Sequence, residues 1–245
     1  MIDLHCHYLP AVDDGAKDLH ESLELLRAAR RDGARQVVLT PHIFAGRWDH
    51  SLASLGPRFE AFAKLVADRR MGLELHLGAE VHLLPESLDL IDRGQAPFIG
   101  GWEGSKVVLL EMHDGRIPPF AIEAIRHLAS RDVVAMIAHP ERNRAVIANP
   151  SLMEQFVNEG CLLQLTAGSL VGGFGQPALE AAIALLDRGW ATVVASDAHN
   201  LRHRPPMLRA ARQELKRRYG RDVALALLEH RPAEILAGRR GAGEA

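Results

Sequence analysis

Lys106-Val107-Val108-Leu109-Leu110-Glu111 is a run of four consecutive apolar residues that ends on a carboxylate. It lacks the polar–apolar alternation of a strand with one wet face. A parallel strand buried on both faces by flanking helices is therefore expected. Strands are likewise predicted at 1–7, 36–40, 73–80, 133–139, 162–166 and 192–197, several of them near-continuous apolar runs. Between them lie amphipathic stretches predicted as helices at 18–32, 57–70, 85–93, 118–130, 150–159, 177–188 and 206–219. Leu19, Leu23, Leu26 and Ala29 show the helical spacing in the first, and Gly33 ends it. Most of the others open near a proline, where a missing N–H costs least. Strand and helix alternate through seven units with no low-complexity linker, which predicts an α/β fold and a distorted (β/α)7 TIM-like barrel. One domain over 1–237 and a disordered tail at 238–245 are expected.

Composition narrows the function. The 245 residues are 47% hydrophobic and 24% charged, with 29 Lys and Arg against 31 Asp and Glu. A formal charge of −2 and no basic–aromatic stripe argue against nucleic acid as partner. No apolar run approaches the roughly 18 residues of a membrane span. Two cysteines, Cys6 and Cys161, are too few for a disulfide framework and fit a reducing compartment. The chain opens on Met1 with no leader-like stretch, so a cytoplasmic protein is expected.

The chemistry gathers where the strands end. His5 and His7 share one face of the first strand, because positions i and i+2 point the same way. Later runs end in Thr40-Pro41-His42, Gly78-Ala79-Glu80, Leu110-Glu111, Ile137-Ala138-His139 and Asp197-Ala198-His199, and Asp13-Asp14-Gly15 follows the first. Barrels of parallel strands place their sites at these C-terminal ends. Uncompensated imidazoles and carboxylates are costly there, and a metal cluster supplies the compensation. His20, His50, His76, His82, His113, His127, His203 and His230 read as ordinary surface or packing histidines. The same alternation turns Cys6 away from its neighbours. A thiol phosphatase loop needs arginine after five intervening residues, but that position holds Val12 after Cys6 and Ala167 after Cys161. Both thiols read as buried and structural.

These residues resemble the PHP superfamily of phosphoesterases. Within it, Ile2-Asp3-Leu4-His5-Cys6-His7, Val12-Asp13-Asp14-Gly15-Ala16-Lys17, Ile137-Ala138-His139-Pro140-Glu141-Arg142, Gly160-Cys161-Leu162-Leu163-Gln164-Leu165 and Ala195-Ser196-Asp197-Ala198-His199-Asn200 are similar to the bacterial manganese-dependent protein-tyrosine phosphatases of capsule and exopolysaccharide operons. The similarity runs along nearly the whole chain. It implies a PHP-type barrel holding two or three divalent ions. His5, His7 and Asp197 would hold one ion, with Glu80 bridging to a second completed by Glu111 and His139. Asp14, His42 and His199 would hold the third. The resemblance implies Arg142 as the phosphate-binding arginine, Arg204 as a second one, and a tyrosine autokinase as the phosphotyrosine substrate. It favours Mn2+, while the nitrogen and oxygen donor set admits iron or zinc as well. Residues 43–48 match no assigned pattern, and 166–175 carry small residues but no basic one.

The reaction expected from this set is in-line attack on phosphorus by a hydroxide bridging two ions, with arginine neutralising the growing charge. Rival readings are another PHP phosphoesterase, such as a histidinol-phosphatase, an amidohydrolase, or a non-catalytic metal-binding regulatory domain. An amidohydrolase usually carries a carboxylated lysine where this chain has Glu111. A decayed domain should have lost ligands, and here all nine positions are filled.

Overall fold

The computed structural model describes residues 1–112 and 115–238. In chain order its strands are β1 (Ile2–Cys6), β2 (Gln36–Leu39), β3 (His42–Ile43), β4 (Glu74–Leu77), β5 (Glu80–His82), β6 (Gly100–Trp102), β7 (Ser105–Glu111), β8 (Val133–Ala138), β9 (Leu162–Thr166) and β10 (Val193–Ala195). One sheet runs β1-β2-β4 and the other β10-β9-β8-β7-β5-β3, with every neighbour in these two paths parallel.

The two sheets are parts of one ring. β2 and β3 are halves of a path interrupted at Thr40-Pro41, where proline has no N–H to give. β4 and β5 are halves of another, interrupted at Gly78-Ala79. Gly78 N donates to Leu39 O at 2.8 Å and Glu80 N to Pro41 O at 3.1 Å, carrying the pairing across both breaks. At the far seam Asp197 N donates to His5 O at 2.8 Å and His7 N to Ala198 O at 2.9 Å. The closed order is β1, β2/β3, β4/β5, β7, β8, β9 and β10, the seven-unit parallel barrel that the apolar runs predict.

Two apolar layers hold the ring. Leu4, Val38, Val107, Leu109, Met136, Leu162 and Val193 fill the interior together with Ile235 and Leu236 of the last helix, Arg231–Ala237. The larger layer lies between the barrel wall and its helices, with Val37, Val108, Leu110, Ile137, Leu163 and Val194 from the strands and Leu26, Phe62, Ile125, Phe156 and Leu185 from the helices. Val107-Val108-Leu109-Leu110 thus alternates between the two layers, which is why all four positions are apolar. Cys6 belongs to the outer layer, and its Sγ lies 3.3 Å from Val38 O. Between Asp3 and Cys6 the register of β1 slips, a bulge next to the site.

Some predicted boundaries move. The helix expected at 57–70 is Leu52–Asp68, started five residues earlier by a Ser51/Ser54 capping box and keeping Pro57 inside it. The segment 150–159 is a 3-10 turn, Pro150–Met153, followed by the helix Glu154–Asn158. β6 was not foreseen. It pairs antiparallel with β7 through a two-residue turn in which Glu103 and Gly104 have φ of 50° and 88°. Of the expected tail, 239–245 lie outside the described residues, and Gly238 ends the last helix.

Candidate metal centre

The loop and strand ends bring the nine predicted ligands together. His5, His7, Glu80 and Asp197 form one group whose ligand atoms all lie within 4.8 Å of one another. His7, Asp14, His42 and His199 form a second, and His42, Glu80 and Glu111 a third. His139 Nε2 is 2.8 Å from Glu80 Oε1 and 3.9 Å from Glu111 Oε1, between the same two carboxylates. His42 therefore faces two groups, where the resemblance placed it with Asp14 and His199 alone. All nine are buried or half-buried except Asp14, whose side chain is 45% exposed at the mouth.

The inner atoms are short of partners. Glu80 Oε2 lies 3.2 Å from His5 Nε2, 3.3 Å from His7 Nε2 and 3.1 Å from His42 Nδ1. It nevertheless has no hydrogen-bond partner, and neither do His42 Nδ1, Asp197 Oδ1 and His199 Nε2, all buried. Buried polar atoms in native proteins are nearly always satisfied. A cluster of converging nitrogen and oxygen lone pairs without donors fits divalent cations.

Outer contacts aim the ligands. His5 Nδ1 is 2.9 Å from Gln164 Oε1, and His7 Nδ1 is 2.8 Å from Asp13 Oδ2. With these nitrogens engaged, the Nε2 atoms point at the centre, 3.2 Å apart. Asp13 also accepts from His42 N at 3.1 Å and Gly15 N at 2.9 Å, so one carboxylate ties three parts of the site. His139 and Asp197, each just beyond a strand end, have φ of 32° and 50°, a left-handed backbone rare outside glycine. Such strain gathers at functional sites.

Electrostatics follow from the crowding. Burial opposes ionisation of Glu80, but charge on His5 and His42 outweighs it and holds the carboxyl well below the usual range. Asp197 is likewise held low, against burial, by His5 and by Arg204 and Arg142. Burial, then the neighbouring charge of His7, lowers His199 to about 4, so it presents a neutral imidazole near pH 7. Burial pushes the Cys6 thiol well above its ordinary pKa and Cys161 up to about 12, which removes both as thiolate nucleophiles.

Above the cluster opens a cleft of about 400 Å³ whose lining includes Asp14, Glu111, Arg142 and Arg204. Both predicted arginines donate to the same atom, Asp197 Oδ2, Arg142 through Nη1 and Arg204 through Nη2. Arg142 also lies 4.5 Å from the ring centroid of Phe174. Several contributors were not assigned from sequence. Gln164 is the lone polar residue in the middle of β9, and Asp13 repeats the carboxylate of Asp14, so both carried a signal. His82, read as an ordinary histidine, is buried in the cleft with Nδ1 3.2 Å from Glu111 Oε2. Phe44, Trp48 and Phe174 left no pattern to find. His113 lies outside the described residues.

Comparison with known proteins identifies the family. The family model "Capsular polysaccharide synthesis, CpsB/CapC" matches residues 1–237. Tyrosine-protein phosphatase YwqE of Bacillus subtilis is 33% identical over 236 residues, covering 96% of this chain and 91% of its own. Tyrosine-protein phosphatase CpsB of Streptococcus pneumoniae is 29% identical, covering 96% and 98%. A chain from the crystal structures of YwqE and CpsB, described as unique metal-dependent tyrosine phosphatases, superposes with a TM-score of 0.90 at 31% identity, over 98% of this chain and 95% of that one. The phosphotriesterase homology protein of Escherichia coli, at 13% identity and a TM-score of 0.58, shares the fold. The chain belongs to the CpsB/CapC family of capsular polysaccharide synthesis.

Proposed function

We propose that this protein is a metal-dependent phosphatase that removes phosphate from tyrosine in proteins. The observation that carries the reading is the convergence of buried nitrogen and carboxylate-oxygen atoms of Glu80, His42, Asp197 and His199, none of them hydrogen-bonded, beneath a cleft armed with two arginines. His5, His7, Glu80 and Asp197 would hold one divalent ion, Glu80, Glu111 and His139 a second, and Asp14, His42 and His199 a third. Bound divalent ions neutralise phosphate charge and supply hydroxide near neutral pH.

The chain's own residues do the rest. Arg142 and Arg204 share one oxygen of Asp197, so their guanidinia stand at the edge of the cluster where phosphate oxygens arrive. Arg142, half-buried and backed by Phe174, gives its fork to the non-bridging oxygens and stabilises the charge that grows on them. A phenol leaves with a pKa near 10, roughly, and so needs less help from an acid than an alkyl alcohol does.

The metal assigned is Mn2+, the protein substrate a bacterial tyrosine autokinase, and the setting the cytoplasm, where dephosphorylation would regulate capsule or exopolysaccharide synthesis. No described helix is long and apolar enough to cross a membrane. The unit 1–237 acts as a single catalytic domain. The test is turnover by the Mn2+-loaded protein on a phosphotyrosine peptide, a phosphoserine peptide and histidinol phosphate. Phosphotyrosine should lead in kcat/KM by at least about tenfold. A lead for histidinol phosphate would transfer the chain to the rival phosphoesterase reading.

A further inference from the structure

Residues 43–48, which match no assigned sequence pattern, carry a small hairpin on the rim of the cleft. Phe44 N donates to Trp48 O at 3.0 Å, and Trp48 N to Phe44 O at 2.8 Å. Gly46 N donates to Asp49 Oδ1 at 2.8 Å, and the His50 ring bonds Val12 O at 2.7 Å, so tip and base are both fixed. Trp48 stacks on His42 at 4.6 Å with planes 9° apart. Phe44 stacks on His82 at 4.1 Å and 5°. The Arg47 guanidinium covers the Trp48 ring at 4.0 Å. The indole is thus held between a candidate ligand and a cation. With its faces taken by His42 and Arg47, Trp48 lines the cleft together with Phe44 and Met112.

Arg142 and this wall line the same cleft, so the ester group of a phosphate held by Arg142 would have the wall within reach. The wall is apolar and rigid, which suits a flat aryl group and gives nothing to a flexible polar alcohol. Arg47 stands exposed at the outer edge, and none of the described ion pairs involves it. A cation there favours a carboxylate beside the phosphorylated residue and opposes a cationic leaving group such as histidinol.

Resting on the phosphotyrosine reading above, we propose that hairpin 44–48 is the leaving-group subsite. Phe44, Trp48 and Met112 receive the tyrosine ring, and Arg47 selects peptides with an acidic residue next to it.

The experiment measures kcat and KM on phosphotyrosine peptides flanked by glutamate or by lysine, for wild type, Phe44→Ala and Arg47→Glu. Bound Mn2+ and the inhibition constant of inorganic phosphate are read alongside. Phe44→Ala should raise KM about five- to tenfold while phosphate inhibition and bound Mn2+ stay within about twofold. Arg47→Glu should lower kcat/KM about tenfold on the acidic peptide and raise it on the basic one. Arg47 is exposed, so this arm stands even if Phe44→Ala folds poorly. Unchanged KM and flank preference would overturn the proposal. So would a parallel shift of KM and phosphate inhibition, which would mean that the hairpin only braces His42 and His82. Wild type with no phosphotyrosine turnover would instead overturn the underlying function.

Discussion

Glu80 Oε2 faces three imidazole nitrogens at 3.1 to 3.3 Å without a hydrogen bond. An unsatisfied buried polar atom costs about 1–3 kcal/mol, and this cluster holds four. Four such atoms gathered in one cluster, all of them nitrogen or carboxylate oxygen, fit the binding of cations. The same logic separates the arginines from the ligands. Arg142→Ala removes a cation from the cleft but no ligand lone pair, so turnover should fall about 100- to 1000-fold with bound metal unchanged. Elemental analysis beside a phosphotyrosine assay checks this. Near-normal turnover would end the phosphate-clamp role. Side-chain periodicity made His5, Cys6 and His7 legible, because strand alternation sets their faces from spacing alone. His82 was not legible. Its burial comes from Phe44 stacked over it, a contact made across the chain's fold rather than along the chain.

At the scale of elements, the site is built from loops and strand ends whose paths are pinned by close approach. A Cβ placed on Gly15 would lie 2.1 Å from His7 O and 2.5 Å from His7 Cβ, so no side chain fits there. Gly15 N also holds Asp13, which orients His7. Gly15→Ala should therefore displace Asp13 and Asp14 together, lowering bound metal by about one ion and activity about 100-fold or more. Metal stoichiometry after dialysis reads the effect, and full stoichiometry would show that the loop tolerates the shift. Most strands were readable as apolar runs because they are buried on both sides, whereas β4 begins on the exposed Glu74 and alternates. Their interruptions at Thr40-Pro41 and Gly78-Ala79 were not, since the pairing there passes to Leu39 O and Pro41 O. β6 is three residues long, and two of them are glycines, so it carries no hydrophobic signal of its own.

The whole molecule depends on closing the ring between β1 and β10, and Asp3 sits at that seam. Its Oδ1 accepts from Ser196 N at 2.9 Å and His5 N at 3.4 Å, while Oδ2 has no partner. Burial raises its pKa from 3.8 to about 6. The folded protein therefore keeps a proton that the unfolded chain has released, and Asp3 costs stability as pH rises from about 4 through about 6. Asp3→Asn keeps the acceptor and has no proton to lose. Urea unfolding at several pH values should show the variant gaining on wild type by up to about 3 kcal/mol between pH 4 and pH 7. Parallel curves would contradict it. The barrel itself was legible from repeated strand–helix order, which seven units leave little room to satisfy otherwise. The rim was not, because it belongs to loops whose positions only the closed ring defines. Nine side chains at one end of this ring are proposed to bind the ions on which phosphatase activity depends. The direct measurement strips the protein with EDTA, removes the chelator, and titrates Mn2+ back while following phosphotyrosine hydrolysis and bound metal together. Activity should vanish on stripping and return as two to three ions bind per chain. Full turnover by protein shown to hold no metal would refute metal-dependent hydrolysis.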